Sequence, residues 1–221
     1  AAPFLSFLSL PSPLDLHGNA LRGAALGAFA DFDGEVKFRA NTDERGFNAD
    51  ILSPVSFTAS SGLEIVLSNL VGKPLMEISG NQAMASADVK LSGGGGPSLQ
   101  FTFDQYSQSI EAGTSAHLSE IVLDPWSASG RSVSADLEEL EVVSDQDLQL
   151  AIRGNISFEG DYPGITLRPT SVVGGIHAEQ TNGLWQVTTI GDGCIDVDSG
   201  GAVASGIDFG ALDLDLCPLN R

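Results

Sequence analysis

The sequence predicts an all-β protein: an elongated, curved, mostly antiparallel sheet, a trough or a folded-over sheet, with little helix. Three observations carry that expectation. From Asp33 onward apolar residues recur with a period of two, as in Val36, Phe38 and Ala40 set against Glu35, Lys37 and Arg39, and such alternation marks strands with one dry face. Polar turns separate the runs, and 26 of the 221 residues are glycine. Finally, a step of three breaks the alternation at Leu67–Leu70, Leu118–Ile121, Leu137–Leu140 and Phe209–Leu212. Side chains alternate faces, so a strand keeps its apolar residues on one face through such a step only if a bulge restores the phase. Each step therefore predicts a corner in a long strand. Their spacing is irregular, which argues against a fixed-period solenoid.

Taken in order, the apolar opening Ala1–Leu10 lacks a basic leader and is too short to span a bilayer. The chain reads as a mature protein or as a piece of something larger. Over Leu14–Ala30 a short helix competes with a strand, weakened by Gly18, Gly23 and Gly27. A turn at Asn41–Gly46 leads to Phe47, Ala49 and Ile51, and Pro54 restarts the pattern with Val55, Phe57 and Ala59. After Leu63–Leu70 and Met84–Leu91, the run Gly93-Gly-Gly-Gly-Pro97 is a hinge or a loop tip. It suggests an N-terminal strand-rich segment, 1–92, and a C-terminal corner-strand region, 98–221. There Leu99, Phe101 and Phe103 open a strand and Ile110 and Ala112 return from it. Leu148, Leu150 and Ile152 resume beyond Asp145–Asp147, Tyr162-Pro-Gly164 makes a turn, and Ile176 and Ala178 pair with Trp185, Val187 and Thr189.

Charge narrows the function. With 29 acidic and 10 basic residues the net charge is −19, which argues against nucleic-acid binding and against docking on anionic headgroups. The acids sit singly between apolar residues, as in Leu212-Asp-Leu-Asp-Leu216, so they read first as solvated strand faces and second as a cation-binding surface. Cys194 and Cys217 invite a disulfide, which implies an oxidising compartment; two reduced buried thiols are the alternative. No cysteine–histidine cluster suggests zinc.

Nothing indicates catalysis or a cofactor. His17, His117 and His177 lie far apart with no nucleophile at a diagnostic spacing, and no phosphate-binding or nucleophile-elbow motif is present. Gly191–Gly201, with Asp196 and Asp198, faintly resembles a calcium loop, but alternation on a strand does not curl carboxylates round an ion. What remains distinctive is apolar: Phe38, Phe57, Phe101, Phe103, Leu137, Leu140, Ile152, Ile156, Phe158, Phe209 and Leu212 are placed on one side of the sheet. They form either a sealed sandwich core or a partly open groove for an acyl chain.

The alternating strands with mid-strand corners, and above all the closing Cys194…Gly-Ile-Asp-Phe-Gly-Ala-Leu-Asp-Leu-Asp-Leu-Cys217-Pro218, resemble the C-terminal region of YdbH-like proteins. These belong with the AsmA/TamB-like group of Gram-negative envelope proteins. The resemblance is densest from about Leu118 to the end. It implies a long, curved sheet with a hydrophobic interior, an inner-membrane anchor outside this chain, a periplasmic location and phospholipid movement between membranes. It also implies as partners a phospholipid or other acyl-chain ligand, and envelope proteins or the rest of a longer chain. Roughly 15 strands stacked in one direction at about 4.8 Å would make a trough on the order of 70 Å. The alternative is a structural or adhesive β-domain that binds cations or carbohydrate on its acidic face.

Overall fold

The computed structural model describes residues 31–43, 46–79, 82–109, 113–128, 130–144, 147–162, 164–181, 184–190 and 193–218. The N-terminal apolar segment, the helix considered over 14–30, His17, Ile110 and Ala112 lie outside them. Alternating runs joined by short polar turns bring most strands beside the next one along the chain. Accordingly β1 (Phe32–Asp43), β2 (Gly46–Ala59), β3 (Leu63–Ser68), β4 (Met76–Ser79) and β5 (Gln82–Gly93) follow one another as a meander. It continues through β6 (Leu99–Ser109), β7 (Gly113–Ala128), β8 (Arg131–Ser144), β9 (Leu148–Tyr162) and β10 (Ile165–Thr181). The last strands are shorter: β11 (Leu184–Thr189), β12 (Ile195–Ser199), β13 (Ala202–Ala204), β14 (Ile207–Asp208) and β15 (Leu212–Leu216).

Among the described residues these strands form one sheet, with β1-β2-β3-β5-β6-β7-β8-β9-β10-β12-β15 as its main path. Every pairing is antiparallel. Several strands share a position. β3 and β4 lie end to end between β2 and β5, and β11, β12 and β13 lie end to end along β10. The sheet is therefore about 50 Å across, from ten steps of about 4.8 Å, rather than the 70 Å expected from stacking every strand separately. The glycine run is the tip of the β5–β6 hairpin: Leu91 faces Leu99, and the Gly96 N–H donates to Gly93 O at 3.1 Å.

Two of the four steps of three are bulges inside long strands, as expected, and the other two fall where a strand ends rather than turns. Leu67–Leu70 runs off the end of β3 into the segment 69–75, which interrupts the shared β3–β4 position. Leu118–Ile121 spans Glu120, a non-glycine residue at φ 50° beside a shift in the β6–β7 register. Leu137–Leu140 spans the extra residue that shifts the β8–β9 register between Leu137 and Glu139. Phe209–Leu212 bridges the gap between β14 and β15, where Gly210 adopts φ 63°.

Most of these defects belong to a single line crossing the sheet. It passes the shift between Glu35 and Lys37, the 69–75 interruption, the shift between Ala85 and Ala87, the bulges on β6 to β8, and the gap between β11 and β12. On β9 and β10 the line is marked by Gly154 facing Gly174, with no change of register. Bulges and glycine bends are how a twisted sheet curves, so this line is a crease dividing each long strand in two. Gly154 shows why the crease selects glycine. Its φ is 142°, and a Cβ there would lie 2.5 Å from both Asp136 O and Leu137 Cα.

Gly154→Ala is expected to destabilise the protein by about 1–3 kcal/mol, from backbone strain plus the displaced β8 strand. Gly193→Ala, where an added Cβ would meet only Ile190 O at 3.5 Å, should fall within about 0.5 kcal/mol of the parent. Urea denaturation of both variants checks the difference.

Candidate functional site: an apolar face and a polar hollow

Directly opposed residues on neighbouring strands share a face, so the register identifies which side chains the sheet gathers. One row starts at Gly34 and passes through Phe57, Ile65, Leu91, Leu99 and Leu123. It continues without a break through Ala135, Ile156, Val172, Val197 and Leu214. Every strand on the main path contributes, and every residue after Gly34 is apolar.

A second row lies beyond the crease. Phe38, Ile51, Met76, Ala85 and Tyr106 lead to Ala116, Val142, Leu150, Ala178 and Val187. β9 proves that the two rows share a face. It is unshifted at the crease relative to β10, and Leu150, Ile152, Gly154 and Ile156 alternate strictly along it. The bulges on β7 and β8 restore the phase across the same line, as the steps of three require.

Each candidate residue can now be placed. Phe57 and Ile156 belong to the first row and Phe38 to the second. Leu137 faces Ile121 and Gly154 on the crease itself. Phe103, Leu140 and Ile152 fall in an intermediate row, Phe103–Leu118–Leu140–Ile152–Ile176. Phe101 faces Val89 and packs on the buried cluster of Val55, Leu75, Ala87, Val89 and Leu91. Phe158 and Leu212 belong to a chain of opposed pairs that runs from Trp126 and Val133 through Phe158, Thr170 and Ser199 to Leu212. Phe209 stands apart, exposed between β14 and β15, held through its N–H to Ala202 O at 2.9 Å.

This face is neither sealed nor bare. The cluster around Val55 and Val89 is buried, as are Ile121, Leu137 and Ala178. Most other members are half-buried, and the face opens at both edges of the sheet. Phe38 is 70% exposed on β1, Val187 62% on β11 and Leu214 47% on β15. Ile65, Leu91, Leu99, Leu123, Ala135, Val172, Val197 and Leu214 complete the apolar part of the first row and are not among the residues that the sequence nominates. Periodicity gives each of them the correct face, but only register aligns them.

The opposite face is mostly polar, with Val66, Val122 and Val173 among its members. Ser134 faces Ser157, Ser157 faces Ser171, Ser171 faces Asp198, and Asp198 faces Asp213. A hollow of about 440 Å³ is lined by Ser132, Ser134, Ser157, Thr170 and Ser171, with Glu159, Asp198, the groove candidate Phe158 and the turns at Pro169 and Gly200. It sits where a register shift between Leu167 and Thr170 and the interruption at Gly200–Gly201 bend β10 and its partners. Sequence reasoning missed it, because serines at alternating positions look like any solvated strand. On the same face Asp104, at the β6 bulge, accepts a hydrogen bond from Ser119 Oγ and lies 3.2 Å from His117 Nδ1. His177, by contrast, lies on β10 opposite Ala151 and Thr188.

The C-terminal edge concentrates negative charge. Asp196 faces Asp215 and Asp198 faces Asp213 across β12 and β15. Like charges directly opposed destabilise a sheet by roughly 0.2–1 kcal/mol per pair. Among the described residues no group of three or more His, Cys, Asp or Glu is arranged to hold a metal ion. Cys194 and Cys217 form a disulfide, one step beyond the Ile195–Leu216 pair, with their Cα atoms 4.1 Å apart. Near the opposite end of β15, Arg168 Nη2 donates to Asp208 Oδ2 at 2.6 Å, and the Gly210 N–H donates to Asp208 Oδ1 at 2.9 Å. The Gly210 amide, and then Arg168, hold the Asp208 carboxyl below its ordinary value of 3.8.

Comparison with protein-family models, curated proteins and solved structures finds no match for this chain.

A depressed carboxylate pKa stabilises the folded turn above the ordinary carboxylate value, and the contribution is lost as pH falls through the lowered one. Amide exchange at Gly210, corrected for the intrinsic pH dependence, is expected to speed up as pH drops below about 3.8. Asp208→Asn should remove that pH dependence.

Proposed function

We propose that this chain is a periplasmic β-sheet module that binds lipid acyl chains along its apolar face, as part of intermembrane phospholipid transport. The observation that carries the reading is the pair of apolar rows, kept in register on one face while the other face carries serines and aspartates. A face this long, half-buried along its middle and open at both edges, suits an elongated apolar ligand better than a compact one. One leaflet's acyl layer is about half of the roughly 30 Å hydrocarbon core. An acyl chain lying along a row would thus cover about three strands at about 4.8 Å each, and several would fit in series. The disulfide is compatible with an oxidising compartment such as the periplasm. The YdbH-like resemblance of the closing segment points to the same setting, with a tether to the inner membrane supplied from outside this chain.

Mass spectrometry of organic extracts of the protein, purified without detergent, should detect phospholipid. Phe38→Asp and Leu214→Asp alter exposed ends of the two rows and should leave the fold intact while lowering the lipid content several-fold. Ser134→Asp, on the polar face, should leave it unchanged. Lipid-free protein, or loading indifferent to the face altered, rules the reading out.

The polar hollow favours a second reading, a structural or adhesive β-domain that takes carbohydrate or cations on its acidic face. Four serines, a threonine and two acidic residues are among those lining it, and their hydroxyls and carboxylates are a donor and acceptor set suited to a polyol. On this reading, calcium or a simple saccharide at millimolar concentration raises the melting temperature by a few degrees, and Ser157→Ala with Ser171→Ala abolishes the shift. No shift with either ligand eliminates it.

A further inference from the structure

The last strand is held to the sheet in an unusual way. Among the described residues β15 pairs with β12 alone, through five residue pairs, and all five of its side chains are exposed. Two of those pairs oppose aspartate to aspartate, Asp196 to Asp215 and Asp198 to Asp213. Its apolar residues Leu212, Leu214 and Leu216 are 39–54% exposed, so they gain little from burial. A five-pair ladder at an edge is weak by itself, and here electrostatic repulsion opposes it. What retains it are fastenings at its ends: the Cys194–Cys217 bond, and the turn tied by Arg168 and Asp208.

We propose that β15 is a strap closed by the Cys194–Cys217 disulfide, and that reducing this bond releases it and uncovers the edge of β12. The reductant is a dithiol. One thiolate attacks a sulfur of the Cys194–Cys217 pair and forms a mixed disulfide, expelling the other cysteine as a thiolate that takes up a proton. The second thiol of the reductant then displaces the remaining cysteine. Two electrons and two protons pass to the protein, and the dithiol becomes a disulfide. Without the covalent tie the opposed aspartates separate the strands. The freed edge presents unpaired backbone groups beside Ile195 and Val197, at the end of the apolar face. The inference stands apart from the acyl-chain reading, because it concerns only how the strand is retained.

Hydrogen–deuterium exchange of the whole chain, oxidised and in excess dithiothreitol, tests it. Reduction should accelerate exchange of the Leu212–Leu216 amides by about ten-fold or more while β7, β8 and β9 stay protected. Cys194→Ser with Cys217→Ser should behave like the reduced protein. Under reduction, Asp213→Asn with Asp215→Asn should restore much of the protection, and about 0.5 M sodium chloride should do so in the unaltered chain by screening. Unchanged protection of β15 on reduction overturns the proposal. So does a loss spread over the whole sheet, which would make the disulfide a global staple. If the asparagine variants and salt leave the reduced strand unprotected, repulsion is not what drives its release.

Discussion

A side chain in a strand has two directions to point, and the structure depends on never confusing them. Over ten steps from β1 to β15 one mistaken phase would put an apolar row into solvent and an acidic row into the core. The chain curves without making that mistake because each bend is built from a device that conserves phase. An extra residue is added where the apolar spacing is three, as at Leu137–Leu140, and glycine bends the strand where the spacing stays two, as at Gly154 and Gly174. Both devices meet on one crease, since neighbouring strands must bend together to stay paired.

That solution limits where the protein can be compact. A single sheet has only its own curvature with which to cover its apolar face. Burial is accordingly best at Leu63 beside Ala59 and where the 69–75 segment brings Leu75 down against Val55, Ala87 and Val89, and poorest at the outer strands. The half-buried face is thus a consequence of the architecture, and the acyl-chain proposal rests on it. The acidic side chains keep the other face wet and give the edge strand a charge that discourages pairing with its own kind. They also weaken the strand that bears them, and the disulfide offsets that weakness.

Much of this was legible in the residues. The steps at Leu118–Ile121 and Leu137–Leu140 mark corners inside long strands, the steps at Leu67–Leu70 and Phe209–Leu212 mark strand ends instead, and the two cysteines bracketing the last unit mark the bond that closes it. Trp185, Val187 and Thr189 were matched to the strand carrying Ile176 and Ala178, and they pair with it residue for residue. Other features were not legible. Each of Ser134, Ser157, Ser171 and Asp198 is an ordinary outward residue on its own strand. Only the β10 bend beside Pro169 turns their row into a hollow.

The sequence by itself determined which residues share a face and where a strand must turn, because both depend on spacing within a few residues along one chain. It also determined the sign of the surface, since charge survives any folding. The tertiary structure alone decided which residues stand opposite one another across the sheet, and hence that Phe57 and Leu214 belong to a common row. It alone decided that the glycine run is a hairpin tip, and that aspartates distant in the chain face each other at the edge. Those are matters of register, and register is settled by the sum of all cross-strand contacts at once, which no single segment contains.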